Sequence, residues 1–397
     1  MRVAFVTSHP IQYQVPVFRC LANRADMDFV VLFGMIPDAA AQGSGFGVRF
    51  EWDIPLLDGY QSFVLNNVAK QPSVTHFGGC DTPGIEAELQ RLQIDVVVVN
   101  GWVVKTCVQT LKACRRLGIP CIVRGEANDL RPRAWWKKLL QRVLVRRYDA
   151  VLAIGQANRS FYLSRGVQAD RIFHAKYCVE NSRFMAASAV SEIRRGELRA
   201  KWSVAENVVC LLYCGKVETK KHPLELLQAV SRACTAGARL HLLMVGDGPL
   251  RPACEAMIRD QSLPVTITGF LNQSEIVDAY VAADVLALPS DAGETWGLVV
   301  NEAMACGRPA LVSDQVGCAA DLIEEDKTGW VFPFGDWRRL AELLAVISES
   351  PERVRSMGDA CRQKIRGYSP EAAAEGIAEA VHFACSGRKQ ELVRNET

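Results

Sequence analysis

The chain has 397 residues, a formal net charge of +2, and 49% hydrophobic against 23% charged residues, a balance that excludes the disordered and fibrous classes. Its length exceeds what one hydrophobic core organises, so two domains of roughly 180 residues each are expected. No apolar run approaches the roughly 20 residues of a bilayer-crossing helix, and the first apolar run is too short for a signal peptide, so a cytoplasmic protein is expected.

Short β-branched runs alternate with longer amphipathic stretches, the pattern of parallel strands joined by helices in an α/β fold. A first series of strands is read at 3–7, 29–33, 96–99, 121–124 and 150–154. The runs are continuous rather than alternating, as strands covered on both faces should be. Ser8-His9-Pro10-Ile11-Gln12-Tyr13-Gln14 follows the first strand, Gly101-Trp102 follows the third, and Arg124-Gly125-Glu126 closes the fourth. The last two segments lie at the carboxyl edge of a parallel sheet, where ligands bind. Buried packing of Trp102 and a plain Arg124–Glu126 salt bridge are the alternatives.

Residues 131–147 hold seven Lys and Arg and no acid, interleaved with Trp135, Trp136, Leu139, Leu140, Val143 and Leu144. This is a basic amphipathic helix: one face is expected to pack on the domain, while the cations and an exposed Trp meet anionic lipid. A solvated helix face is the alternative. Residues 1–185 carry 23 Lys and Arg against 15 Asp and Glu, which points to an anionic surface or acceptor on this half. No nucleic-acid motif accompanies the charge, so a nucleic-acid partner is not expected.

The polar, charge-rich segment 186–200 reads as a linker, giving one domain at 1–185 and another at 190–368. The second series of strands is placed at 208–213, 240–245, 265–268, 285–288 and 309–313. Tyr368-Ser369-Pro370 breaks the pattern, and an Ala-rich helix within 371–397 is expected to return to the first domain. None of the fourteen cysteines forms a Cys-x-x-Cys pair, so they read as reduced thiols serving as small apolar side chains. No acidic metal site is apparent.

Within the second half, the strand at 285–288 leads through Pro289-Ser290 and Gly293 into Glu294-Thr295-Trp296-Gly297-Leu298-Val299-Val300-Asn301-Glu302, a helix that Gly307 and Pro309 terminate. Free amides near Thr295 to Leu298, helped by the helix dipole, suit a diphosphate. Glu294 and Glu302, eight residues apart, are separated by roughly 12 Å along such a helix, so one carboxylate can serve a sugar and the other a ribose. Two unrelated surface acids are the alternative.

That string resembles the donor-binding signature of glycosyltransferase family 4 (group 1), whose members have the GT-B fold. Tyr213-Cys214-Gly215-Lys216-Val217-Glu218-Thr219-Lys220-Lys221-His222-Pro223 is similar to the family's Gly-Arg/Lys loop, and Gly246-Asp247-Gly248 and Thr268-Gly269-Phe270 to two further segments. The His-Pro-Ile-Gln-Tyr opening, together with 52–60, resembles a subgroup in which this segment replaces the usual paired-Gly loop, so that His9 or Gln12 takes over its role.

The resemblance implies an α/β GT-B protein of two doubly wound, Rossmann-like domains facing a central cleft. It implies a retaining, metal-independent transfer from a UDP- or GDP-type nucleotide sugar to an acceptor hydroxyl, with no further cofactor. Lys216 and Lys221 would stabilise the departing phosphate, Glu294 the sugar hydroxyls and Glu302 the ribose. Gly215, Gly269, Phe270, Thr295, Trp296, Gly297, Leu298 and Val299 would line the donor site. His9, Gln12, Trp102, Arg124 and Glu126 are the acceptor-side candidates. A glycan or glycolipid acceptor in surface polysaccharide or lipopolysaccharide assembly is expected, met at the inner face of a membrane. A catalytically silent donor-binding or scaffolding homologue and a nucleotide-sugar epimerase are the rival readings.

Overall fold

The computed structural model describes residues 1–38 and 51–395, with side chains described through residue 386. The chain divides into two compact units, 1–41 with 55–177 and 370–397, and 42–54 with 178–369.

In the first unit, strands β1 (Arg2–Thr7), β2 (Asp28–Phe33), β3 (Gln61–Val64), β4 (Val96–Asn100), β5 (Cys121–Gly125), β6 (Ala150–Ala153) and β7 (Ile172–His174) form one parallel sheet in the order β3-β2-β1-β4-β5-β6-β7. In the second, β8 (Val209–Cys214), β9 (Leu240–Val245), β10 (Val265–Gly269), β11 (Val285–Leu288), β12 (Ala310–Ser313) and β13 (Gly329–Phe332) form a parallel sheet in the order β10-β9-β8-β11-β12-β13. Both orders reverse beside the first strand, between β1 and β4 and between β8 and β11. Such a switch point opens a crevice at the carboxyl ends of the strands. Each central strand is buried on both faces, as its unbroken apolar run requires.

The helices that position the sites are α1 (Val15–Ala22), α2 (Trp135–Val145), α3 (Asn181–Glu192), α4 (Arg195–Lys201), α5 (Pro223–Thr235), α6 (Ile276–Ala282), α7 (Leu298–Ala305) and α8 (Pro370–Asn395). Helix α8 packs on α1 and on β6 and β7 of the first unit. Glu375 pairs with Arg24 at 2.6 Å, and Gly376 passes so close to β7 that a Cβ there would lie 1.8 Å from the carbonyl of His174.

The division between the units falls at Tyr177/Cys178, earlier than the linker expected near 186–200. That charge-rich segment folds as the end of α3 and as α4, and it packs on the second unit. Its arginines are used internally: Arg195 and Arg199 hold the buried Asp284 at 2.6 and 3.1 Å and donate to the carbonyls of Val281 and Ala282 at the end of α6. Guanidinium groups satisfying a buried carboxylate and a helix C-terminus look, in sequence, like a solvated linker. All fourteen cysteines are free thiols, eleven of them buried.

The helix expected within 131–147 is α2, but its apolar side faces out. Val145 is its buried residue and Leu144 packs partly on the core, while Trp135, Trp136, Leu139, Leu140 and Val143 are exposed.

Candidate active site

The loops after β8 and β11 meet at the switch point of the second sheet. Gly215 follows β8 with φ 140° and donates to the carbonyl of Val245 at 3.0 Å. A Cβ on Gly246, after β9, would lie 1.9 Å from the Gly215 carbonyl, and Gly246 donates to Gly269 at the end of β10. At Gly246 backbone lies against backbone and leaves no room for a side chain, whereas Gly215 and Gly269, at φ 140° and 78°, take the left-handed conformations that glycine favours.

Beyond Gly215 the chain makes a short 3-10 turn (Thr219–Lys221) and reverses at His222 in the left-handed region, φ 50°. Pro223 then opens α5, where its missing N–H costs nothing. This path folds the Lys221 side chain back over Gly215. The ammonium would lie 3.8 Å from a Cβ placed on that glycine, and the residue is buried. Lys216 is half buried, and desolvation lowers the pKa of its ammonium.

The loop from β11 is tied down at several points. Asp291 donates its N–H to the carbonyl of Lys220 and accepts from Gly293 N–H at 2.7 Å. The carbonyls of Glu294 and Trp296 accept from Gly317 and Cys318. Gly317 sits so close that a Cβ would be 1.8 Å from the carbonyl of Thr295. Gly297, at φ 99°, turns the chain into α7, and a Cβ there would press on Leu288 and Val316.

The result brings Glu294 onto Lys221 as an ion pair. Two of the expected residues, remote in sequence, are therefore neighbours beside Gly215. The amides that begin α7, from Leu298 and Val299, complete an edge that carries cations, a carboxylate and helix dipole together.

Two of the expected donor residues are buried. Trp296 is fully buried, its indole N–H donating to Asn301 at 2.9 Å, so its side chain pins the loop and only its backbone belongs to the edge. Glu302 is 2% exposed and accepts from the Tyr280 hydroxyl at 2.5 Å. Burial holds that phenol well above its usual pKa, so it donates throughout the neutral range. Gly269 takes φ 78° at the end of β10, and Phe270 follows it, partly buried.

Sequence reasoning missed three supports of this site. His222 packs on Phe334 and Trp337, with its ring nitrogens 3.3 Å from Glu225 and 3.6 Å from Asp291. Tyr280 fixes Glu302, and Gly317 admits the Glu294 loop. The one available signal was a His before Pro at the end of a lysine run.

In the first unit, His9 and Gly101-Trp102 follow β1 and β4, and Arg124 to Glu126 form the end of β5 and the residue after it, on three adjacent strands at the corresponding edge. The Ser8 hydroxyl bonds His9 Nδ1 at 2.8 Å, and burial lowers the His9 pKa to about 4, so the ring is neutral at pH 7. Gln12 is buried, with its Oε1 unpartnered among the described residues, as are both amide atoms of Gln14. The Trp102 ring stacks on Phe161 and lies over Gly125. Arg124 is buried over the Tyr177 ring and only 4.0 Å from Glu126, at the limit of an ion pair. Residues 52–54 of the segment 52–60 belong to the second unit, where Asp53 accepts from Ser274 N–H at 3.0 Å.

Two doubly wound parallel units of this kind define the GT-B class of glycosyltransferase folds. Residues 194–364, most of the second unit, match the family model described as Glycosyl transferases group 1. The chain is 29% identical to the alpha-D-kanosaminyltransferase of Streptomyces kanamyceticus over 66% of its own length and 70% of that protein. It is 33% identical to a GDP-mannose-dependent alpha-(1-6)-phosphatidylinositol dimannoside mannosyltransferase of Mycobacterium tuberculosis, over 41% of each chain. In fold it is similar to Anabaena HepE, solved with UDP and glucose, with a TM-score of 0.72, 17% identity and coverage of 96% of this chain and 99% of that one.

Proposed function

We propose that the chain is a retaining glycosyltransferase of family 4, in the subgroup with the His-Pro-Ile-Gln-Tyr opening, moving a sugar from a UDP- or GDP-sugar to an acceptor hydroxyl. The observation that carries this reading is the Lys221–Glu294 pair at the switch point, beside Gly215 and the first amides of α7.

In transfer the bond from the anomeric carbon to the diphosphate oxygen breaks, and the acceptor oxygen bonds that carbon on the same face. The acceptor proton passes to the departing phosphate. Negative charge grows on the diphosphate as this happens, so cations and fixed dipoles aimed there lower the barrier. Lys216, Lys221 and the amides of Leu298 and Val299 have that role without a metal ion. Glu294 accepts from hydroxyls of the sugar, which requires it to share or release Lys221 when the donor enters. Glu302 takes the ribose: a carboxylate oxygen has lone pairs for both Tyr280 and a ribose hydroxyl. Gly269 and Phe270 flank the base, and backbone from Thr295 to Gly297 lines the phosphates.

On the acceptor side we assign His9, Gln12, Trp102, Arg124 and Glu126. The acceptor is a glycan or glycolipid, in the first instance a lipid-linked glycan of surface polysaccharide or lipopolysaccharide assembly, met at the inner face of a membrane through 131–147. The mannosyltransferase relative, whose name specifies a phosphatidylinositol mannoside, supports a lipid-linked acceptor. The test is a scan of nucleotide sugars for thermal stabilisation, then mass spectrometry of the product formed with candidate acceptors. Stabilisation by a UDP- or GDP-sugar and an added hexose mass are expected, both persisting in EDTA. Stabilisation without any transfer would favour a silent donor-binding homologue.

A further inference from the structure

Helix α2 carries five large apolar side chains that stay largely open among the described residues: Trp135 is 77% exposed, Leu140 62%, Leu139 54%, Val143 51% and Trp136 48%. Plotted at about 100° per residue, these five span an arc of about 140°, opposite the side where Val145 meets the core and Leu144 packs on it in part. Lys138 and Arg142 border the arc on one side and Lys137 on the other, while Arg146 and Arg147 extend it toward the C-terminal end. All five cations are exposed. No acidic residue lies between 131 and 147. Next to Arg146 a cavity of about 480 Å³ is lined by Arg115 and Arg171 together with one acid, Asp149.

A helix built only to cover its own domain points its apolar stripe inward and its charges outward. Here the stripe points outward and the cations rim it, the arrangement of a helix lying in the plane of a membrane interface. We propose that α2 docks the protein on an anionic bilayer by inserting Trp135, Trp136, Leu139, Leu140 and Val143 among the lipid headgroups, with Lys137, Lys138, Arg142 and Arg146 on the phosphates. Charge decides against a second copy of this chain as the occupant. Two such faces pressed together would set cation rim on cation rim with no acid to offset it. Tryptophan at the start of the arc suits the interface, where its ring is apolar and its N–H remains wet.

The inference deepens the peripheral contact proposed above and rests on it, but not on the transfer chemistry. It extends the expected contact of cations and an exposed Trp to insertion of the whole apolar stripe, and insertion and a purely electrostatic contact make different predictions. Vesicle sedimentation at low ionic strength, with phosphatidylcholine vesicles and with mixed phosphatidylcholine and phosphatidylglycerol vesicles, would compare wild type with two variants. One changes Leu139, Leu140 and Val143 to Ser, and the other changes Lys137, Lys138, Arg142 and Arg146 to Ser. These side chains are exposed, so both variants should keep wild-type melting temperature and nucleotide binding. Wild type should prefer the anionic vesicles, and the charge variant should lose that preference by at least about 10-fold. The apolar variant should lose binding to anionic vesicles to a similar degree. Equal sedimentation of the apolar variant and wild type would overturn insertion, and so would a wild type that ignores anionic vesicles. A wild-type dimer in sedimentation velocity that the apolar variant abolishes would overturn the choice of lipid as occupant. Nucleotide binding and sugar transfer to a water-soluble acceptor are read separately, so loss of vesicle binding and loss of the transferase reading are distinguishable.

Discussion

Glu294 and Lys221 neutralise each other in the ligand-free site, and that pairing sets how each should respond to mutation. The pair is largely out of water, so removing one partner leaves an uncompensated charge for the other. In Glu294→Ala the stranded ammonium is free for a diphosphate, so nucleoside diphosphate affinity should hold or rise. Turnover should fall at least about 100-fold, or about 2.7 kcal/mol of transition-state stabilisation. Lys221→Ala leaves a carboxylate beside the phosphates, so affinity and turnover should fall together. Calorimetric titration with the diphosphate and single-turnover rates with the donor give both quantities. Near-normal turnover in folded Glu294→Ala would remove that residue from the site. His9 offers a second test, through pH. Its folded pKa is about 4 against the ordinary 6.5 because burial disfavours the imidazolium. Between those values the unfolded chain holds a proton that the folded chain lacks. Its contribution to stability is therefore present above pH 6.5 and is lost as pH falls toward 4. His9→Gln should flatten that part of the profile in urea midpoints measured at pH 7, 6 and 5. Parallel loss in both proteins would mean that His9 is not held neutral.

At the level of elements, glycines decide how closely the loops approach. Gly317 carries the carbonyls of Glu294 and Trp296 on its own N–H and that of Cys318, with no room for a Cβ against Thr295. Gly317→Ala should push the Glu294 loop away from Lys221 and the start of α7, abolishing the thermal shift produced by a nucleotide sugar. The control is Gly196→Ala in α4, where a Cβ meets nothing and alanine favours the helix, so stability should be unchanged or slightly raised. A full donor response in Gly317→Ala would show that this approach is not needed. Such contacts explain what was legible in the sequence. Central strands β1, β4, β8 and β9 were readable because burial on both faces demands continuous apolar runs. Strands β3, β7 and β13 were missed: β3 is half exposed, β7 has three residues, and β13 begins with Gly329 pressed on the carbonyl of Ala310. The residues of the donor edge stood out as strings, but the burial of Trp296 and Glu302 came from partners such as Asn301 and Tyr280. For α2, periodicity showed which residues share a face and not whether that face turns inward, which depends on what the fold places against it.

Across the whole molecule, the residues proposed to grip the nucleotide all belong to the second unit, whereas α8 completes the first. Each unit has its own sheet and its own buried core, so each can open without the other. A ligand that binds only the folded form of one unit stabilises that unit by mass action, about 2.7 kcal/mol at 100 times its dissociation constant. Hydrogen exchange with and without nucleoside diphosphate should therefore divide the chain. The slowest amides of β8, β9 and β11 should slow by about 100-fold, since their exchange follows opening of the unit that holds the ligand. Local protection should be added at the loops 215–221 and 294–299, where phosphate contacts replace water. The amides of β1, β4 and β5 should keep their rates, because His9 is neutral and the first unit's candidates are assigned to the acceptor. Equal slowing in both sheets would give the first unit a share of the nucleotide. Its switch-point residues His9 and Gln12 would then belong to the donor site rather than the acceptor's.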